Sequence, residues 1–399
     1  MLKPFPNRVT RCPVCRAANV FEFIEILNVP IHCNLLWSSR DEAARAARGD
    51  IRLGFCHDCG HVFNLAFNPA AMSYDQAYEN SLHFSPRFQE YAEALANRLI
   101  HRYNLHDKQI LEIGCGRGDF LNLLCELGEN RGVGFDPSYV DDPSLGSKNT
   151  RTTFIRNFYS KRYEDHRADL ICCRHVLEHL KFPRGFLLSL RQTIGNHMDT
   201  AVFFEVPNSR LCLRDSGIWD LIYEHYSYFS LPSLVRLFSS CGFEVFECAE
   251  AFDGQYLGIE AFPITREVIA EQDSDEDVMN IAQAVSSFAE GYHRQIARWQ
   301  GVLAQQMAAG QRAVVWGSGS KGVTFLNTIQ RQGQIEYVVD INPRKEGKYV
   351  AGTGQQIVSP QHLVEYQPEI ILVMNPIYLD EIAQYVRDLN LSSKLIAVS

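Results

Sequence analysis

Long hydrophobic runs are missing from this chain. Uncharged apolar stretches, such as Phe186-Leu187-Leu188, last only a few residues, whereas a membrane-spanning helix needs about 20. Met1 to Cys12 contain no apolar core of the kind a secretory signal carries, so the expectation is a soluble, cytoplasmic protein with no membrane partner. Positive charge is not in excess either: 38 Lys and Arg against 47 Asp and Glu leave a formal net charge of −9. Phosphate neutralisation dominates nucleic-acid affinity and leaves a basic signature, so no nucleic-acid partner is expected. There is no internal repeat at solenoid period and no low-complexity tract. Cysteine, by contrast, is plentiful, with 12 residues. Without an export signal these thiols are expected to be reduced, which removes a disulfide framework and leaves metal binding or burial as their uses.

At 399 residues the chain exceeds what one core organises, and four regions separate on pattern. Residues 1–80 are irregular and carry two Cys-x-x-Cys pairs. Residues 81–265 alternate helical and strand patterns, from an amphipathic helix near 86–101 to a strand at 109–114 and onward. That rhythm predicts a parallel sheet with helices on both faces. In residues 266–309, Ile281, Val285, Phe288, Tyr292, Ile296 and Trp299 recur at three- and four-residue spacing, the apolar stripe of one helix. The acidic run 271–277 reads as solvated sequence at that helix's electropositive N-terminus. Residues 310–399 begin with an apolar strand and a glycine loop and end in a strand-like segment at 394–398.

The most informative segment is Gln109-Ile-Leu-Glu112-Ile-Gly114-Cys115-Gly116-Arg117-Gly118, a buried strand running into a glycine loop and then a helix. Glycines there let backbone approach a ligand closely. Such a loop alone is shared by any dinucleotide-binding fold, and a Rossmann dehydrogenase is the alternative. Context sharpens it. Glu112 precedes the glycines, placed to receive a methionine ammonium or a water on it. Gly132-Val-Gly-Phe-Asp136-Pro137 reads as a second strand ending in a carboxylate, 18 residues after Gly118, suited to accept both ribose hydroxyls. Residues 154–159 fall where an adenine would be held. A third strand, 168–173, leads into Arg174-His175-Val-Leu-Glu178-His179. Together these resemble motifs I, II and IV of class I S-adenosylmethionine-dependent methyltransferases. His175 to His179 also matches H-x-x-E-H, an inverted zinc-protease pattern, but its place directly after a parallel strand favours contact with cofactor or substrate.

Cys12-Pro-Val-Cys15 and Cys56-His-Asp-Cys59, separated by 40 residues, predict a tetrahedral four-thiolate Zn2+ site. Four thiolates leave no coordination position for water, so such a zinc is structural. His57 and His61 are candidate substitute ligands, and a redox pair is the alternative. The other cysteines, in apolar settings, read as core.

After the fourth strand, 202–206, comes Ile222-Tyr223-Glu224-His225-Tyr226-Ser227-Tyr228-Phe229-Ser230. A His beside a carboxylate is suited to general-base work near neutral pH, and a buried aromatic cluster is the alternative. The order of zinc site, class I core, Glu-His-x-Ser-Tyr-Phe-Ser segment and C-terminal glycine-loop domain resembles the nucleotide-sugar C-methyltransferase family. That resemblance implies methylation at carbon 3 of a nucleotide-linked 4-keto-deoxysugar through an enolate. It places the base on His225 and its carboxylate partner on Glu224. A substrate-binding pair falls on His175 and His179, and an N-terminal tyrosine on Tyr78. Two positions depart from the family: Ile222-Tyr223 stands for Tyr-His, with the phenol shifted to Tyr223, and His175 stands for Asn. Asp253-Gly254-Gln255-Tyr256 also replaces the family's more usual Gly-Gly-Ser. A non-sugar acceptor methylated at carbon or oxygen, and an RNA base, therefore stand as alternative substrates.

The last region carries Trp316-Gly317-Ser318-Gly319-Ser320-Lys321-Gly322 after a strand, and Val338-Val339-Asp340 as a second strand with a carboxylate. The resemblance implies a Rossmann-like domain closing over the cleft. Lys321 and the loop amides are candidates to face a substrate phosphate at a helix N-terminus, the alternative being glycines kept only for close packing.

Overall fold

The computed structural model describes residues 11–72, 78–140, 151–214, 217–265, 275–329 and 335–398. Residues 271–274 of the acidic run lie outside these.

Three sheets organise the described residues. The first joins β1 (Val20–Pro30), β2 (Arg48–Cys56), β3 (Val62–Asn64) and the short β9 (Ser227–Tyr228), all antiparallel. The second has seven strands in the order β10-β11-β8-β7-β4-β5-β6. They are β4 (Gln109–Ile113), β5 (Arg131–Phe135), β6 (Thr152–Ile155), β7 (Leu170–Arg174), β8 (Ala201–Pro207), β10 (Phe243–Ala251) and β11 (Tyr256–Pro263). Strands β6, β5, β4, β7 and β8 pair in parallel, and β11 inserts antiparallel between β8 and β10. This is the class I S-adenosylmethionine-methyltransferase sheet.

Its strands read as near-continuous apolar runs because both faces are covered. Helices Pro86–Tyr103 and Asp119–Leu127 bury Phe88, Leu99, Leu121 and Leu124 on one face. Helices Pro183–Ile194 and Leu231–Ser239 bury Leu187, Leu190, Leu234 and Phe238 on the other. The third sheet is wholly parallel, β14-β13-β12-β15-β16, comprising β12 (Ala313–Trp316), β13 (Ile335–Val339), β14 (Gln356–Val358), β15 (Ile370–Val373) and β16 (Lys394–Ala397). It is the Rossmann-like C-terminal unit. Gly322 is needed there for close helix–strand packing, since a Cβ would overlap the carbonyl oxygen of Gly317.

The stripe anticipated near 281–299 lies on helix Asp275–Ala308, and the helix is more than a spacer. Val285, Phe288, Tyr292, Trp299 and Leu303 are buried in a core shared with the first sheet and the C-terminal unit, Phe288 edge-on to Phe23 and Trp299 edge-on to Phe325.

The pairing of β3 with β9 bears on function. Val62 pairs with Tyr228 and Phe63 with Ser227, and Asn64 donates its N–H to the Tyr226 carbonyl at 2.8 Å. The cysteine-bearing segment thereby fixes the backbone that immediately follows Glu224 and His225.

Candidate active site

Chain switches between parallel strands open a crevice at their carboxyl ends, and two adjoining cavities lie there. The first, of about 340 Å3, is lined by Glu112, Gly114, Cys115, Gly116, Asp136, Pro137 and His175. Asn157, Phe158 and Tyr159 form another part of its wall. Gly118 stands behind this wall as the left-handed N-cap of helix Asp119–Leu127. Gly114 has φ +72°, and a Cβ would overlap Val176 Cγ2. Gly116 has open space where a Cβ would project, so its backbone is bare to the cavity. The Gly116 and Ser138 amides, at 2.9 and 2.7 Å, fix the Asp136 carboxylate at the rim.

Glu112 is buried, its Oε2 has no hydrogen-bond partner, and burial raises its pKa to about 8. An unsatisfied carboxylate oxygen at a cavity wall is costly unless a ligand cation or donor meets it. An ammonium-bearing nucleoside fits this donor set. Because left-handed backbone costs an L-residue about 1–2 kcal/mol, Gly114→Ala is expected to weaken S-adenosylhomocysteine binding at least about tenfold, read by calorimetry.

The second cavity, of about 310 Å3, lies between the core and the C-terminal unit. Its wall includes Asn34, Glu178, His225 and Tyr256 from one side and Trp316, Gly317, Lys321, Asp340 and Tyr378 from the other. Tyr78, His175 and His179 line both cavities. Lys321 is held at this wall by Asp220 at 3.1 Å and Gln255 at 3.4 Å. Asp340 is engaged by Ser318, whose Oγ donates at 2.5 Å, and by Lys345 at 3.4 Å.

The Glu-His segment is arranged differently from its sequence order. Glu224 is buried and turns away from His225: Oε1 accepts the Cys33 N–H at 2.6 Å and Oε2 accepts the Tyr78 hydroxyl at 2.7 Å. Burial raises Glu224 to about 7. His225 faces His179, ring centroids 5.1 Å apart, and burial with the neighbouring imidazoles pushes its pKa well below the ordinary value. His179 donates Nδ1–H to the Glu224 carbonyl at 2.9 Å and burial lowers it to about 4, so it is neutral.

Two expectations are corrected. Tyr223 is not in the cleft. It is buried in the core, stacked on Phe67 beside Gly49, and its hydroxyl accepts the Asn68 N–H at 2.9 Å. Ile222 takes the cavity wall with His225, because residues 222–225 form a turn, closed by the His225 N–H to the Ile222 carbonyl at 3.3 Å, that directs Tyr223 and Glu224 elsewhere. His57 and His61 are not substitute ligands: His57 stacks on Phe21, and His61 lies between Phe63 and Phe229. The four cysteines do converge, their sulfurs within 4.8 Å of one another, with Cys12–Cys59 at 3.6 Å and Cys15–Cys56 at 3.5 Å. That donor set is compatible with a tetrahedral metal ion.

Sequence reading missed the buried network behind His175. Arg174 clamps Glu205 through Nε at 3.0 Å and a terminal nitrogen at 2.8 Å, Tyr91 donates to the same carboxylate, and His175 Nε2 stands 3.1 Å away. Burial alone would raise Glu205, but Arg174 and these partners hold it at about 2. Glu205→Leu leaves a buried guanidinium unpaired and is expected to cost about 3–5 kcal/mol at pH 7. Because the folded pKa is depressed, the stabilisation is present above the unfolded carboxylate's range and fades as pH falls towards 2. The gap between wild type and variant in urea unfolding should therefore narrow by on the order of 1 kcal/mol by about pH 4. Also missed was Glu79, buried, which accepts from the Ser81 N–H and Asn342 Nδ2 at 3.1 Å each and pairs with Arg117 at 3.3 Å. It ties the strap between the cavities to both flanking units.

Parts of the chain resemble known proteins. Residues 87–247 match the family described as a methyltransferase domain, and residues 262–396 match the C-methyltransferase C-terminal domain. Over 395 residues the chain is 25% identical to C-methyltransferase NovU of Streptomyces niveus, spanning 94% of this chain and 91% of that protein. A tRNA U34 carboxymethyltransferase of Sulfurimonas denitrificans is 27% identical over 169 residues, 39% of this chain and 54% of that protein. Among solved structures, magnesium protoporphyrin IX methyltransferase of Synechocystis PCC 6803 with bound SAH aligns at 14% identity and a TM-score of 0.35, covering 44% of this chain and 84% of its own.

Proposed function

We propose that this chain, an S-adenosylmethionine-dependent methyltransferase, methylates carbon 3 of a nucleotide-linked 4-keto-deoxysugar through an enolate. The shared wall carries the reading: Tyr78, His175 and His179 border both the glycine-loop cavity and the second cavity. When bound in the first, S-adenosylmethionine supplies an electrophilic methyl group. Glu112 receives the ammonium end, Asp136 the ribose hydroxyls, and residues 157–159 border the base.

In the second cavity we assign proton removal to Tyr78 with Glu224 behind it. As the phenol oxygen takes the proton α to the keto group, its own proton passes along the 2.7 Å hydrogen bond to Glu224. Burial has already raised that carboxylate to about 7, which suits it to hold a proton near neutral pH. His225 and His179, neutral and facing the same cavity, border the keto oxygen. His175, braced by Glu205, orients the acceptor at the junction. Lys321 and Lys345, with the amides at the start of helix Ser320–Ile329, border the nucleotide's phosphates. The four cysteines hold a structural Zn2+.

Calorimetric titration of the zinc-loaded protein with thymidine diphosphate, in the presence of S-adenosylhomocysteine, tests the acceptor class. One-site binding is the expected result. No binding to this or any other nucleoside diphosphate, with S-adenosylhomocysteine still bound, would replace the sugar by a non-sugar acceptor. The placement of Ile222 on the wall and Tyr223 in the core favours that second reading, since it removes a phenol that the sugar-enzyme resemblance implies.

A further inference from the structure

The H-x-x-E-H run follows a parallel strand, unlike a protease signature, yet the fold gives it a partner it lacks in sequence. Glu178, His179 and His225 bring one ligand atom each to within 4.8 Å of one another, and all three line the second cavity. We propose that they hold a first-row divalent transition-metal ion, of the zinc or iron(II) kind, whose open positions take the acceptor's oxygens.

Four observations bear on this. Glu178 is 1% exposed and its Oε2 has no hydrogen-bond partner, so a buried carboxylate oxygen stands at the cavity wall without a donor. Its Oε1 stands 3.9 Å from His179 Nε2 and 3.8 Å from His175 Nδ1, beyond hydrogen-bond reach. Donors that each sit about 2.1 Å from one ion stand roughly 3–4 Å from each other, so Glu178 and His179 are spaced as neighbours around an ion and not as partners of each other. His179 commits Nδ1–H to the Glu224 carbonyl at 2.9 Å. Metal-ligating histidines are oriented in this way, the second nitrogen donating to a backbone carbonyl or carboxylate. Finally, the donor chemistry is selective: two imidazoles and one carboxylate suit zinc, iron or manganese, with positions left open for substrate.

Such an ion acts as a Lewis acid on the keto oxygen, stabilising the enolate formed as Tyr78 removes the α proton. That role rests on the acceptor reading given above, whereas the ion's presence does not. The thymidine diphosphate titration and the metal measurement can therefore fail independently.

The test is cobalt(II) titration of the metal-stripped full chain, followed by optical spectroscopy and by elemental analysis of the loaded protein. Two equivalents are expected. The first carries the intense thiolate charge-transfer band of the cysteine site, and the second adds weak visible bands without it. Glu178→Gln and His225→Asn should each lose the second equivalent while keeping the thiolate band, which also reports that the variant has folded. A single equivalent in the wild type would overturn the proposal. So would a second equivalent that persists in both variants.

Discussion

Tyr78→Phe should lower kcat by about 10²–10⁴-fold, the range general acid–base groups contribute, and leave S-adenosylhomocysteine affinity within about twofold. The variant keeps the ring that walls both cavities and removes only the oxygen that donates to Glu224. Glu224→Gln should act similarly. Its amide oxygen can still accept the Cys33 N–H, but the side chain can no longer take up the phenol's proton. A loss confined to KM in both variants would make the pair a binding feature. The contrast with Tyr223→Phe is the internal control: that hydroxyl accepts only a structural N–H from Asn68 in the core, so turnover should fall no more than stability does.

Withdrawal of the Zn2+ proposed at the four cysteines should be equally severe and by a different route. Structural zinc contributes about 10–16 kcal/mol of binding free energy in small domains at pH 7; β2 and β3 are held by β1 and by their own buried side chains, so the ion's share falls on the turn between them, which carries Cys56 and Cys59 and leads directly into β3. Losing it releases the pairing of Val62 with Tyr228 and Phe63 with Ser227. It also loosens Cys33, whose N–H holds Glu224. Chelation, or Cys56→Ser, should therefore lower the melting midpoint by more than about 10 °C and turnover by more than about 100-fold. S-adenosylhomocysteine affinity, set by β4 and β5, should change far less. Equal losses of cofactor binding and turnover would instead mean that the core itself depends on the metal.

The glycine-loop cavity was legible in sequence because its determinants are local. Glu112, Gly114, Gly116 and Asp136 sit on two consecutive strands, and the glycine requirement is a backbone property that the sequence states directly. Parallel pairing of the core strands followed from the alternation of strand and helix patterns, but the antiparallel insertion of β11 did not, since a strand's direction is set by where its connection leads. The acceptor side was read less well because its contacts are remote in sequence. Glu224 next to His225 suggests a dyad, yet the two fall on a tight turn closed by the His225 N–H to the Ile222 carbonyl at 3.3 Å, and Glu224 turns to Cys33 and Tyr78 instead. The same turn directs Tyr223 into the core. The Tyr91–Arg174–Glu205 network joins three elements whose charges look unrelated along the chain, and a buried Arg inside the run Leu170–Arg174 was its one available signal. Glu79, beside Tyr78, could have been found only by asking what holds a strap between two cavities.

Carbon methylation through an enolate is the central claim, and hydrogen exchange tests it most directly. The zinc-loaded protein, saturated with S-adenosylhomocysteine, is incubated in D2O with a thymidine-diphosphate 4-keto-6-deoxyhexose, and the proton at carbon 3 is followed by NMR. Enzyme-dependent replacement of that proton by deuterium, slowed at least about 100-fold in Tyr78→Phe, is the predicted result. Retention of the proton by an enzyme that nonetheless methylates the same compound at oxygen would contradict the account.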